Sequence, residues 1–431
     1  MPHPIAVRSC RVAVVLPLTF TALVLAGCQA RKPPGPSQPQ ALDYARELPA
    51  GEKALRKIPP EQYPDFSGWR TNPADLARSI DNSLAYLSAP SSGAFFPYLD
   101  ITRDRAVATL RAMRHMLATP GGPDWNALVR QKFEVYQSVG APKPDDAAGY
   151  TGQVLFTGYY TPICDASPTR SGPFQWPLYK KPADLPPAAG GPDGAAGGGA
   201  RYYTRAEIER DGRLAGQELV WLRSRWEAYV VTVQGSGRLR MPDGRLADVG
   251  YAGTNGHPYV SPGKRMVDDG VIPKDQLSFF GLRRYFDAHP EAMDRYLLAN
   301  PRTTFFTFST GGIRGCLNVP VTAFATLATD KDVYPRAMPA FVVTRVPSAG
   351  GTGADSSDSS GYRGFMLDQD AGGAIRAAGR CDLYMGVGPD AEQSAGRQLY
   401  PGQLYYLALK PEWVPQYLGA GPPTVGVGRT R

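Results

Sequence analysis

Histidine is scarce in this chain, four among 431 residues. His115, His257 and His289 stand far apart, without the spacing that holds a metal ion, and no Cys-x-x-Cys is present. A metal site is therefore not expected, and no motif calls for a cofactor. Cysteine is almost as rare, five in all. Cys10 and Cys28 fall at the N-terminus, so Cys164, Cys316 and Cys381 remain, and at least one of these stays unpaired within the chain. Basic blocks interleaved with aromatics are missing too, which argues against nucleic acid despite a net charge of +8. That charge comes mostly from scattered arginines. An anionic polymer would suit it, and so would an ordinary solvated surface. No internal repeat is visible.

The N-terminus is the most explicit part of the sequence. Arg8 and Arg11 precede an apolar stretch, Val12 to Leu25, of signal-peptide length and too short to span a membrane comfortably. It runs into Leu25-Ala26-Gly27-Cys28, small residues before a thiol that can receive a lipid. Residues 1–27 thus read as a lipoprotein signal, Cys28 as the lipidation site, and 28–45 as a tether rich in Pro and Gln. Gln29, rather than Asp, follows the anchor. By resemblance to lipoproteins of Gram-negative bacteria this implies the periplasmic face of the outer membrane, with membrane contact through the lipid.

About 400 residues remain after processing, enough for two domains. Leu76, Ile80, Leu84 and Leu87 at helical spacing predict a helix over 73–88, with Asn72-Pro73 as its start. A second helix is expected over 103–118 and a third from Trp125 to Ser138. From Val154 the pattern turns to short strands, among them Trp226 to Val233, divided by Gly-rich turns. Helices return at 274–287 and 291–299, and strands follow Asn300-Pro301. Two insertions, 182–200 and 348–361, read as surface loops. The fold class is mainly β with flanking helices, and many short strands favour barrels over a parallel sheet.

Three polar, Gly-rich segments could carry chemistry. Phe156-Thr157-Gly158-Tyr159-Tyr160-Thr161-Pro162 is the first. The second joins Gln234-Gly235-Ser236-Gly237-Arg238 to Gly250-Tyr251-Ala252-Gly253-Thr254-Asn255-Gly256-His257-Pro258-Tyr259. Their tyrosines offer flat faces for pyranose rings, and Gln234, Ser236 and Asn255 offer hydrogen-bond partners for hydroxyl and N-acetyl groups. The same residues would equally suit tight turns with half-buried tyrosines. In the third segment, Asp370 and Asp382 flank the Gly372-Gly373 turn. Strand, turn and return would bring both to one barrel end, where burial and mutual repulsion raise a carboxyl's proton affinity. Such a group can protonate a leaving oxygen near neutral pH, although a lone Asp before Gly-Gly also serves simply to cap a turn.

Taken in order, these segments closely resemble the membrane-bound lytic murein transglycosylase A family, with a C-terminal three-aspartate (3D) domain. The likeness runs from about Gly152 to Leu409. It implies a double-psi β-barrel domain plus an inserted second β-barrel, with a substrate groove between them. On this reading 46–153 is the N-terminal helical part, 154–300 the inserted murein-binding barrel, 301–415 the catalytic barrel and 416–431 a tail. The family's aspartates fall on Asp382 as the acid and on Asp370 and Asp330 as supporting groups. Substrate contacts are implied at Tyr160, Gln234, Gly235, Ser236, Gly237, Tyr251, Asn255, Gly256, His257, Gly372 and Gly373. The implied partner is the peptidoglycan glycan strand, cleaved at its MurNAc-β-1,4-GlcNAc bond with formation of a 1,6-anhydro ring. A glycan hydrolase using water and a non-catalytic wall-binding protein are the alternatives. Tyr334-Pro335-Arg336-Ala337 after Asp330 departs from the family's usual Ile-Pro-x-Gly turn. Cys381 beside the acid is not a family hallmark either, and a Cys316–Cys381 disulfide within the last barrel is conceivable.

Overall fold

The computed structural model describes residues 42–119, 122, 124–143, 146–186, 201–348 and 359–419. The signal, Cys28, most of the tether, most of both insertions and the tail beyond 419 lie outside the described residues. Among the described residues, no helix is long and apolar enough to cross a membrane.

The first helix, Pro73–Ser88, starts where Asn72 accepts from the backbone N–H groups of Ala74 and Asp75, and it buries Leu76, Ile80 and Leu87. The second, Arg103–Leu117, is capped by Thr102, which accepts from Arg105 N. The third is shorter than its sequence suggests. Trp125–Lys132 is helical, but Phe133–Ser138 is a strand paired on both edges, with Leu55–Ile58 and with Leu399–Leu409. Its Phe, Val and Tyr suit a strand buried between neighbours, and pairing on both edges overrides the helical pattern.

Six strands close into the main barrel: β1 (Val154–Thr161), β2 (Thr326–Ala328), β3 (Pro339–Pro347), β4 (Ser359–Asp370), β5 (Arg380–Val387) and β6 (Leu399–Leu409). Round the ring the order is β6-β3-β4-β2-β5-β1, and β1 returns to β6. The pairs β2/β4 and β5/β1 are parallel, and the others are antiparallel. Parallel neighbours need a long crossover, and the whole second barrel lies inside the crossover from β1 to β5. This is a double-psi β-barrel with a second barrel inserted. Its core joins the N-terminal segment through aromatic rings: Phe66 lies 4.7 Å from Phe341, and Trp125 4.6 Å from Phe365. Such pairs contribute about 0.5–1.5 kcal/mol each beyond area burial.

The second barrel orders its strands as Thr304–Ser309, Leu246–Thr254, Ser236–Arg240, Ile163–Ser167, Glu218–Leu222 and Trp176–Tyr179. A bridge between Lys180 and Phe306 brings the ends together. Leu178, Val220, Leu222, Leu239, Val249 and Phe306 fill it. The strand beginning at Val154 belongs to the first barrel, and the one ending at Ser309 belongs to the second.

Trp226 to Val233 is not a strand. It lies in a helix, Arg225–Gln234, started by Ser224, which accepts from Glu227 N, and ended by Gly235 at φ 75°. The β-branched run misleads because local caps and the packing of Trp226, Tyr229 and Val230 on one face outweigh strand propensity. The difference matters for function, since the C-terminal end of this helix delivers Gln234 and Ser236 to the junction of the barrels.

Candidate active site

A groove of about 750 Å³ opens between the barrels, within the size range of small-molecule sites. Strand register decides what stands on its floor. Ala328 of β2 is the Cα partner of both Asp370 on β4 and Asp382 on β5. One strand spacing on either side places the two aspartates at the same barrel end, with backbones about 10 Å apart.

Along β5, Cys381 and Leu383 turn into the core while Arg380 and Asp382 share the opposite face. Asp382 Oδ1 accepts a short hydrogen bond from Thr157 Oγ1 of β1. Burial pushes the Asp382 carboxyl up to about 6, the charge of Asp370 adds to the rise, and Arg380 opposes it. Asp370 is held differently. Its Oδ1 accepts from Cys316 N at 2.8 Å and from Ala371 N at 2.9 Å, and its Oδ2 accepts from Tyr159 Oη at 2.9 Å. Burial raises this carboxyl as well, against the pull of those three donors. One aspartate thus has an oxygen left over, while the other is committed on both.

Asp330 stands apart from this pair. It accepts from Ala377 N at 2.9 Å, from Asp332 N at 3.2 Å and from Arg376 Nη1 at 3.2 Å. It braces the segment after the Gly-Gly turn and does not line the groove. Gly372 and Gly373 do line it. A Cβ on Gly373 would stand 2.8 Å from Arg302 Nε, so glycine is what lets that buried guanidinium lie against the turn. Cys316 and Cys381 are not bonded to each other, so the conceivable disulfide between them is absent.

Of the implied sugar contacts, Gln234, Gly235, Ser236 and Tyr251 line the groove. Gln234 Oε1 accepts from Tyr160 N at 3.0 Å, which ties the second barrel to β1. Ser236 Oγ lies 3.3 Å from Thr161 Oγ1, itself 2.9 Å from Tyr384 Oη. Other expectations place differently. Tyr160 is only 2% exposed and packs towards Phe279, while its neighbour Tyr159 faces the groove. Gly237 lies beneath, against Val231.

Asn255 is fully buried: its Nδ2 donates to Tyr203 O at 2.9 Å and Pro301 O at 2.7 Å, and its Oδ1 accepts from Thr303 N at 3.1 Å. Gly256, at φ 76°, turns the chain, and His257 Nε2 pairs with Tyr202 O at 2.8 Å. These three clamp loops together behind the groove instead of facing into it. A polar, Gly-rich motif serves either purpose, and only the partners, which are remote in sequence, distinguish them.

Reasoning from sequence also missed groove residues. Thr157 sat inside a quoted motif without a role. Arg380 precedes Asp382 by two positions, and strand alternation alone would have placed both on one face. Arg302 carried no local signal at all.

A double-psi barrel joined to a second barrel, with a raised carboxyl on the floor of the groove between them, defines a two-barrel protein whose cleft holds a candidate general acid. The chain matches the MltA specific insert domain over residues 155–307 and the 3D domain over 325–408. It is 33% identical to membrane-bound lytic murein transglycosylase A of Escherichia coli K12 over 270 residues, 62% of this chain and 68% of that protein. The Vibrio cholerae enzyme of the same name is 30% identical over 264 residues, 60% of this chain and 66% of that one. Among solved structures, E. coli MltA with bound chitohexaose superposes with a TM-score of 0.63 at 28% identity, covering 87% of this chain and 98% of that one. A membrane-bound lytic murein transglycosylase from Agrobacterium tumefaciens shares the fold, with a TM-score of 0.64 at 23% identity and coverage of 84% and 99%. This chain belongs to the membrane-bound lytic murein transglycosylase A family.

Proposed function

We propose that this protein cleaves the MurNAc-β-1,4-GlcNAc bond of peptidoglycan and leaves 1,6-anhydroMurNAc ends, with Asp382 acting first as acid and then as base. The observation that carries the reading is the unequal treatment of the two aspartates. Asp382 is pushed up to about 6 and has Thr157 on one oxygen only, so it can hold a proton near neutral pH and present it to the groove. Asp370 has donors on both oxygens and is poorly placed to activate water as a second catalytic carboxylate.

In the first step Asp382 gives its proton to the bridging oxygen as the glycosidic bond breaks and positive charge develops at C1 of MurNAc. In the second step the 6-hydroxyl of the same sugar attacks C1, and Asp382, now a carboxylate, takes the hydroxyl proton. The acid is regenerated, and no water is consumed. Intramolecular attack has a high effective molarity, so one catalytic carboxyl suffices. Asp370 keeps the proton affinity of Asp382 high, and Asp330 supports the segment that bears the Gly-Gly turn. Gln234, Ser236, Tyr251 and the backbone at Gly372–Gly373 are the proposed glycan contacts. Chitohexaose bound to an E. coli relative supports a linear sugar chain as the occupant. We further propose that a lipid on Cys28 holds the enzyme on the periplasmic face of the outer membrane, within reach of the wall.

Digesting purified murein with wild type and with Asp382→Asn tests the assignment. Release of muropeptides should fall by about 10²–10⁴-fold in the variant. Digestion at the wild-type rate would remove Asp382 from the mechanism.

A further inference from the structure

Arg380 lies on the groove face of β5 beside Asp382, yet it reaches that carboxyl through Thr157 and not through a direct ion pair. Its Nη2 donates to Thr157 Oγ1 at 3.2 Å, and Thr157 Oγ1 bonds Asp382 Oδ1. A guanidinium has donors only, and a hydroxyl has a single proton. Thr157 therefore accepts from Arg380 on one lone pair, which turns its single proton towards Oδ1 of Asp382, the acceptor it bonds. With Oδ1 accepting, the neutral acid carries its own proton on Oδ2. Removing Arg380 would free the Thr157 hydroxyl to rotate, and either oxygen of Asp382 could then hold the proton.

We infer that Arg380 is a positioning residue, which acts through Thr157 to fix the oxygen of Asp382 that delivers the proton and to steady the carboxylate once the proton has gone. The inference rests on the reading of Asp382 as the acid. The other groups facing Asp382 are Asp370 from β4 and Tyr159 from β1, with Cys381 next to it on β5. Burial keeps Tyr159 and Cys381 neutral and Asp370 brings only a carboxyl, so Arg380 is the cation in this set. The buried Nε of Arg380 has no partner, which suggests a rival role, direct contact with an acidic substituent on the glycan. The two roles separate in kinetics.

The test measures kcat and KM on soluble glycan strands over about pH 4 to 8 for the wild-type chain, Arg380→Met, Thr157→Val, their double variant and Asp382→Asn. Arg380→Lys and Thr157→Ser keep the donor pattern and guard against loss of folding. Positioning predicts that Arg380→Met and Thr157→Val each lower kcat about 10-fold, with KM little changed. The alkaline limb should move up by about 1 unit in Arg380→Met, because the cation that favours the carboxylate is gone. The double variant should be no worse than either single one, and the Lys and Ser variants should recover most of the activity. A higher KM with kcat and the alkaline limb unmoved, or fully additive losses, would overturn the inference while leaving Asp382 as the acid. Full activity in Asp382→Asn would instead overturn the reading beneath it.

Discussion

A carboxyl raised to about 6 by burial has measurable consequences for rate and for stability. As the proposed acid, Asp382 would work in its protonated form, so kcat should fall as pH rises through about 6. Because the charge of Asp370 helps raise Asp382, Asp370→Asn should move that fall to lower pH, as a pH–rate profile would register. Stability runs the same way. The folded pKa lies above the ordinary aspartate value of about 3.9, so Asp382 favours the fold below about pH 4 relative to higher pH, and this contribution is lost as pH rises through about 6. Asp382→Asn should accordingly be more stable than wild type at pH 7, by on the order of 1–3 kcal/mol, and little different at about pH 4. Thermal unfolding at the two pH values checks this, and equal differences at both would contradict it. At this scale the sequence was partly legible: Asp370 and Asp382 stood out by flanking the Gly372-Gly373 turn. Thr157 and Arg380 did not, because their roles depend on a parallel pairing of β1 with β5, strands far apart in the chain.

Among the elements, closure of the first barrel depends on β6 meeting both β3 and β1. Gly402 is at that crossing, where a Cβ would lie 2.3 Å from Val343 O. Gly402→Ala should therefore cost several kcal/mol, since backbone and not a movable side chain is in the way; denaturant titration reads the loss. Asn255 is the corresponding clamp in the second barrel. Asn255→Ala strands the Tyr203 carbonyl and the Thr303 N–H, while the Pro301 carbonyl keeps its bond from Arg205 N, and the predicted loss is about 2–4 kcal/mol of stability, seen as a lower Tm, with KM for glycan little changed in the folded fraction. The helices 73–88 and 103–118 were legible because caps and apolar spacing agree. Trp226–Val233 and Phe133–Ser138 were not, for opposite reasons. In the first, caps outweigh β-branched composition. In the second, pairing on both edges outweighs a continuing helical pattern.

At the scale of the molecule, the chain leaves the first barrel at Pro162, builds a second and returns, so the groove has one wall from each. Asp382, the proposed acid, comes from one wall, and Gln234, Ser236 and Tyr251 come from the other. Barrels and groove were expected from family resemblance, and strands run on from one barrel towards the other without a linker. The central claim is that the substrate's own hydroxyl, and not water, completes the reaction. Digestion of murein in ¹⁸O-labelled water, followed by mass spectrometry of the new glycan ends, tests it directly. The account predicts 1,6-anhydroMurNAc ends free of label, formed by wild type and not by Asp382→Asn. Reducing ends carrying ¹⁸O would contradict it.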